Sequence, residues 1–89
     1  MEKENNKIIS VFIGKKIRGF RIEAKMKQED MGAIFGLTMA SIVNIELGRQ
    51  SPKAYMVYIL ACLFDKNISD FYPDKKELVV KTKKRKLLP

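Results

Sequence analysis

Gln28-Glu29-Asp30-Met31-Gly32-Ala33-Ile34-Phe35-Gly36-Leu37-Thr38-Met39-Ala40-Ser41-Ile42-Val43-Asn44-Ile45-Glu46-Leu47 is the stretch on which the fold turns. Gln28 to Phe35 reads as a short helix, with Glu29 and Asp30 in the first turn, where carboxylates meet the positive end of the helix dipole. Met31, Ile34 and Phe35 are expected on its inner face. Gly36 then supplies a residue free to take a positive φ, and Leu37 plugs the turn. Thr38 is a suitable N-cap for a following helix over Met39 to Glu46. Ile42 and Ile45 point that helix inward, which leaves Met39, Ala40, Ser41, Val43 and Asn44 to share the other directions until Gly48 ends it.

Upstream, Ile9, Ile13, Ile17, Phe20 and Ala24 recur at helical spacing, so a first helix is predicted over roughly Lys7 to Lys25. Gly14 and Gly19 inside it each cost about 1 kcal/mol relative to alanine; they either mark the close approach of another element or are simply tolerated. Downstream, Ser51 before Pro52 has the form of a capping hydroxyl followed by a proline at the first helical position. The helix it predicts runs to about Phe64 and is apolar nearly all round. Val57, Leu60, Ala61 and Phe64 make a stripe for the core, whereas Tyr55, Ile59, Cys62 and Leu63 make a second stripe that a small monomer rarely exposes. That second stripe suits self-association, unless a fifth element and the tail cover it. The fifth element is short, around Ser69 to Tyr72. The expected architecture is an all-α domain of five helices over residues 7–73, followed by a basic C-terminal tail over residues 74–89.

The 89 residues allow one small domain, and the 46% apolar content is enough for it to fold. The net charge of +8 is uneven: residues 1–74 carry +2 and residues 75–89 carry +6, so the tail holds most of the excess. Charge alone therefore does not make the domain a binder of nucleic acid. The longest apolar run, Met56 to Phe64, is too short to cross a bilayer, and Met1 to Asn6 is too charged for a signal peptide, which points to a cytoplasmic protein without a membrane partner. There is no histidine and a single cysteine, Cys62, which reads as a small buried hydrophobe. No catalytic residue, metal site or cofactor is expected, and an enzyme is disfavoured.

Ile13-Gly14, Ile17-Arg18, Phe20-Arg21, Met26 to Gly32, Phe35-Gly36-Leu37-Thr38, Ile42, Ile45-Glu46, Gly48-Arg49 and Pro52 together carry a resemblance to the Cro/repressor-type (XRE-like) helix-turn-helix DNA-binding family, which includes phage repressors and restriction-modification controller proteins. The resemblance covers about residues 10–72 and implies a five-helix lambda-repressor-like fold. Two positions depart from the family pattern: Lys27 stands where a Ser or Thr cap is usual, and Gly32 where an alanine is usual. The resemblance also implies an ion pair between Arg21 and Glu46, with a structural role. It places Gln28, Thr38, Ser41, Arg49 and Lys53 against the DNA backbone and Met39, Ala40 and Asn44 at base edges. Of the base-facing residues only Asn44 has the paired donor and acceptor to read adenine; Met39 and Ala40 offer apolar contact to thymine methyls. DNA shape then carries a large share of any specificity.

The function expected from all this is a sequence-specific transcriptional regulator, a homodimeric repressor that occupies a pseudo-palindromic operator in double-stranded DNA. Tyr55, Ile59, Cys62 and Leu63 are the expected dimer contacts. The alternative is an antitoxin or other adaptor that uses the same domain for DNA and grips a protein partner through the fourth helix or the tail. Lys81 to Lys86 would add mobile, sequence-independent phosphate contacts.

Overall fold

The structure, a computed structural model, describes residues 2–78. Four α-helices follow one another: α1 (Glu2–Glu23), α2 (Gln28–Phe35), α3 (Met39–Glu46) and α4 (Ala54–Leu63). Two 3₁₀ turns, Ile68–Phe71 and Lys75–Glu77, complete the described residues, among which there is no strand. The first turn falls where the fifth element was expected. The second lies at the start of the basic tail, whose remainder, from Val79 onward, is outside the described residues.

One core holds these elements together. Ile13 and Ile17 of α1, Met31 of α2, Ile42 and Ile45 of α3, and Met56, Val57, Leu60 and Ala61 of α4 are buried around Phe71. Phe20 stands edge-on to Phe71 at 5.1 Å between ring centroids and tilted to Phe64 at 6.3 Å, so the 3₁₀ turn is fastened to α1 by aromatic packing. The N–H of Asn67 donates to Asp70 Oδ2 at 3.0 Å and closes that turn from its own residues. Gly14 accounts for the approach of α3 to α1: a Cβ there would collide with the backbone carbonyls of Ile45 and Glu46. Of the two sequence readings for Gly14, close approach is the one the geometry supports.

Several local expectations are corrected. α1 begins at Glu2 and ends at Glu23, not over Lys7 to Lys25. It stops early because Lys25 adopts a left-handed conformation (φ 58°), which lets the Met26 N–H donate back to Arg21 O and the Lys25 N–H to Ile22 O. Without a glycine there, the sequence offers no stop signal. Ala24 consequently sits in the closing turn and is exposed. On α2, Ile34 is exposed: eight residues make too narrow a stripe to bury it beside Met31 and the half-buried Phe35. Ser51 and Pro52 do not start α4, which begins at Ala54 behind an extended Lys53. Ser51 Oγ instead meets Ser10 Oγ at 2.6 Å, tying the α3–α4 loop to α1.

On α4 the two stripes separate as expected. Val57, Leu60 and Ala61 are buried and Phe64 packs partly against the core, while Tyr55, Ile59 and Leu63 are exposed. Cys62 is exposed too, which corrects its reading as a buried hydrophobe: it falls on the outward stripe of the helix, not the inward one. No helix among the described residues is long and apolar enough to cross a membrane.

Candidate nucleic-acid interface

The geometry of the interface rests on one buried cluster. Arg21 Nε donates to Glu46 Oε2 at 2.6 Å and Arg21 Nη2 to Glu46 Oε1 at 3.1 Å, the two-pronged match of a planar guanidinium to a carboxylate. Their side chains are 11% and 2% exposed, so the pairing implied by the family resemblance is present and desolvated. Arg21 Nη1 donates to the Met26 carbonyl at 2.8 Å, and Gln28 Nε2 donates to Glu46 Oε1 at 3.0 Å. Four groups from α1, the α1–α2 turn, α2 and α3 thus share one network, and no buried side-chain polar atom among the described residues is left without a partner. The network fixes the angle at which α3 leaves the scaffold.

Gln28 is the residue at the start of α2 that the resemblance sets against the DNA backbone. Its amide donates one N–H to Glu46, which leaves the other N–H and the backbone N–H groups of the α2 first turn for an outside partner. Lys27, at the N-cap position, makes no side-chain cap bond. Its cation instead joins Arg18, Arg21, Gln28, Glu29 and Met39 in lining a mainly polar recess between the start of α2 and the start of α3. Arg18 and Lys27 are exposed there; the sequence named Arg18 only within the family pattern and Lys27 only as a departure from it, and neither as a backbone contact. The available signal was their helical and capping positions beside Gln28, which only a three-dimensional view brings to one recess.

The turn between α2 and α3 follows its chemistry. Gly36 takes φ 66° and its N–H donates to Ala33 O, while the Leu37 N–H donates to Gly32 O at 2.8 Å. Gly32 is buried beneath that turn: an added Cβ would lie 2.6 Å from Leu37 O, so the turn carbonyl, more than α3 itself, demands a residue smaller than alanine. Thr38 Oγ1 accepts from the Ser41 N–H at 3.1 Å and caps α3, a contact worth about 0.5–2 kcal/mol. The same hydroxyl donates to Ser41 Oγ at 3.2 Å, so the two backbone candidates on α3 are joined to each other.

Along the outer face of α3, Met39 is 53% exposed, Ala40 is exposed, and Val43 and Asn44 are half-buried. Leu47, which follows Ala40, Val43 and Asn44 at helical spacing, is 53% exposed, and sequence reading passed over it because a leucine at a helix end looks like core. Beyond α3, the Arg49 and Gln50 N–H groups donate to Asn44 O, at 2.9 and 3.3 Å, and wrap the chain around the helix C-terminus. Arg49 and Lys53 stand exposed on that wrap. Arg18 and Lys27 thus stand beside Met39 at the start of α3, and Arg49 follows its C-terminal end, while Lys53 borders a recess with Leu37 and Ile45.

Two helices joined by a glycine turn, the second capped, exposed and tied to α1 by a buried ion pair, define a helix-turn-helix unit. Comparison with known proteins agrees: the helix-turn-helix family model matches residues 17–71. The chain belongs to the helix-turn-helix family, as its resemblance to the Cro/repressor-type members implied. It is 33% identical over 64 residues to an HTH-type transcriptional regulator of Archaeoglobus fulgidus, a match spanning 71% of this chain and 90% of the relative. Among solved structures it is similar to the restriction-modification controller protein C.AhdI from Aeromonas hydrophila, with a TM-score of 0.59, 21% identity, and 70% of this chain and 94% of that one covered. It is also similar to part of the hydroxypropylphosphonic acid epoxidase of S. wedmorenis, with a TM-score of 0.66 and 18% identity over 75% of this chain and 36% of that one. Likeness at this identity shows the fold alone, and the epoxidase makes plain that the fold is also carried within an enzyme.

Proposed function

We propose that the chain is a sequence-specific DNA-binding transcriptional regulator, a homodimeric repressor that acts by occupying its operator. The observation that carries this reading is the capped, exposed α3 held by the Arg21–Glu46–Gln28 network, with Arg18 and Lys27 beside its first turn. In this reading α3 enters the major groove, with Asn44 making the directional contact to a base and Met39, Ala40 and Leu47 offering apolar surface to thymine methyls. Gln28, Arg18 and Lys27 hold one phosphate strand, and Arg49 and Lys53 hold the other. These contacts need no reaction, and no catalytic role is assigned to the chain.

The dimer forms through the outward stripe of α4. Tyr55 is 56% exposed, Ile59 41% and Leu63 48%, with Cys62 among them. Tyr58, at 59%, belongs to the same surface. An exposed apolar face of this kind on a small chain fits a self-complementary contact, and pairing about it presents two copies of α3 to one duplex. Selection of bound duplexes from a random pool tests the proposal. The expected product is a short pseudo-palindrome with half-site centres about 34 Å apart; an asymmetric site occupied by one chain would count against it.

A further inference from the structure

The outward side of α1 is unoccupied among the described residues, and it has the make-up of a seat for another helix. Ile8, Phe12, Lys15, Gly19 and Ile22 recur at offsets of four, three, four and three, the spacing that keeps one line of a helix turned toward a neighbouring helix. This line is distinct from Ile13, Ile17 and Phe20, which face the core. Lys7, Ile8, Val11, Phe12 and Lys15 line an almost wholly apolar depression of about 480 Å³. A second depression, sharing Phe12 and Lys15, continues it past Gly19 to Phe20 and Glu23. Ile22 is 48% exposed.

Gly19 adds an independent observation. Gly14 makes room for the backbone of α3, but a Cβ at Gly19 would meet nothing within 4 Å. A glycine in mid-helix is less favourable than alanine, and nothing among the described residues draws on it. A partner backbone lying close over the stripe would. Among the described side chains the rim of the stripe is cationic, with Lys7 and Lys15 at the first depression and Lys16 over the ring of Phe12 at 5.6 Å; Glu23, on the second depression, is paired with Lys66 at 3.2 Å. Two copies of this face set parallel would oppose lysine to lysine, and set antiparallel about Lys15 they would still oppose Lys15 to Lys15, which disfavours a second copy of the chain. We propose that the outer face of α1 docks an amphipathic α-helix of a different protein, one that carries apolar anchors at helical spacing flanked by aspartates or glutamates. The surface is separate from α3 and from the outward stripe of α4, so DNA and partner would be held together.

The test uses the full chain and a fluorescent amphipathic peptide of roughly 15 residues, with leucine anchors and flanking glutamates, compared with its lysine-flanked counterpart and a scrambled peptide of the same composition. Anisotropy is expected to show the glutamate peptide binding at least about tenfold more tightly than either control. Gly19→Leu should raise the melting temperature, since leucine favours helix and meets open space there, and yet weaken the peptide about tenfold or more. Lys7→Glu with Lys15→Glu should reverse the preference between the two charged peptides. Equal binding of the amphipathic and scrambled peptides, or binding untouched by Gly19→Leu, would overturn the proposal. So would a Gly19→Leu chain that changes its own sedimentation, because the face would then belong to contacts between copies.

Discussion

Glu46→Ala tests the joint on which the orientation of α3 depends. The Glu46 side chain is 2% exposed and accepts three hydrogen bonds, two from Arg21 and one from Gln28. Truncation removes all three and leaves the guanidinium, 11% exposed, with only the Met26 carbonyl. Leaving a buried charge without its partner costs about 3–5 kcal/mol. A chain of this length has a total stability of about 5–13 kcal/mol, so the loss approaches half of it. At about 4–8 °C per kcal/mol, the melting temperature should fall by roughly 12 °C or more. Replacing Arg21 with Met in the same chain should recover part of the loss, because no guanidinium is then stranded, while the space left by the Glu46 side chain stays unfilled. Chemical denaturation of the four chains in the cycle, followed by circular dichroism, gives each term. A Glu46→Ala loss below about 1 kcal/mol, the range of an exposed ion pair, would refute the reasoning.

Other outcomes follow from the same contacts. Gly14→Ala should destabilise by about 1–3 kcal/mol, because its methyl meets the carbonyls of Ile45 and Glu46, whereas Gly19→Ala should gain up to about 1 kcal/mol; paired thermal melts show both. Ile59→Glu should shift the chain to a monomer in sedimentation equilibrium and weaken operator binding, and a short bis-maleimide should cross-link two chains through exposed Cys62 in the parent but not in this variant. Deleting residues 75–89 removes seven cationic side chains; if about three neutralise phosphates, the salt slope of binding should fall by nearly three units without a change in site preference.

The fold was largely legible because its punctuation is chemical. Gly36 and Thr38 name a turn and a cap, and the structure shows both doing what their backbone and hydroxyl chemistry allows. The stripes of α4 were legible from period alone, since a helix apolar on two sides must turn one of them away from a small core. What could not be read are features that arise between distant residues or against local preference. The left-handed Lys25 is one, because lysine gives no sign of φ 58° until the core has fixed Arg21 and Met26 on either side of the turn. Ser51 is another: it had a capping sequence, but Ser10 lay within reach and took the hydroxyl. At the interface, Gln28 was visible as a residue with a role, though its bond to Glu46 emerges only when α2 and α3 cross. Arg18 and Lys27 were hidden among surface cations for the same reason.

The central claim is that α3 reads sequence while the scaffold around it holds the backbone, and a matched titration tests it most directly. The full chain and its Asn44→Ala and Lys27→Ala variants would be titrated against the selected duplex and a scrambled one at several salt concentrations. Asn44→Ala is expected to weaken the selected duplex alone, by about 1–3 kcal/mol. Lys27→Ala is expected to weaken both duplexes by a similar factor, since a phosphate contact carries no base identity. Equal loss on both duplexes for Asn44→Ala would contradict the claim and place recognition outside α3.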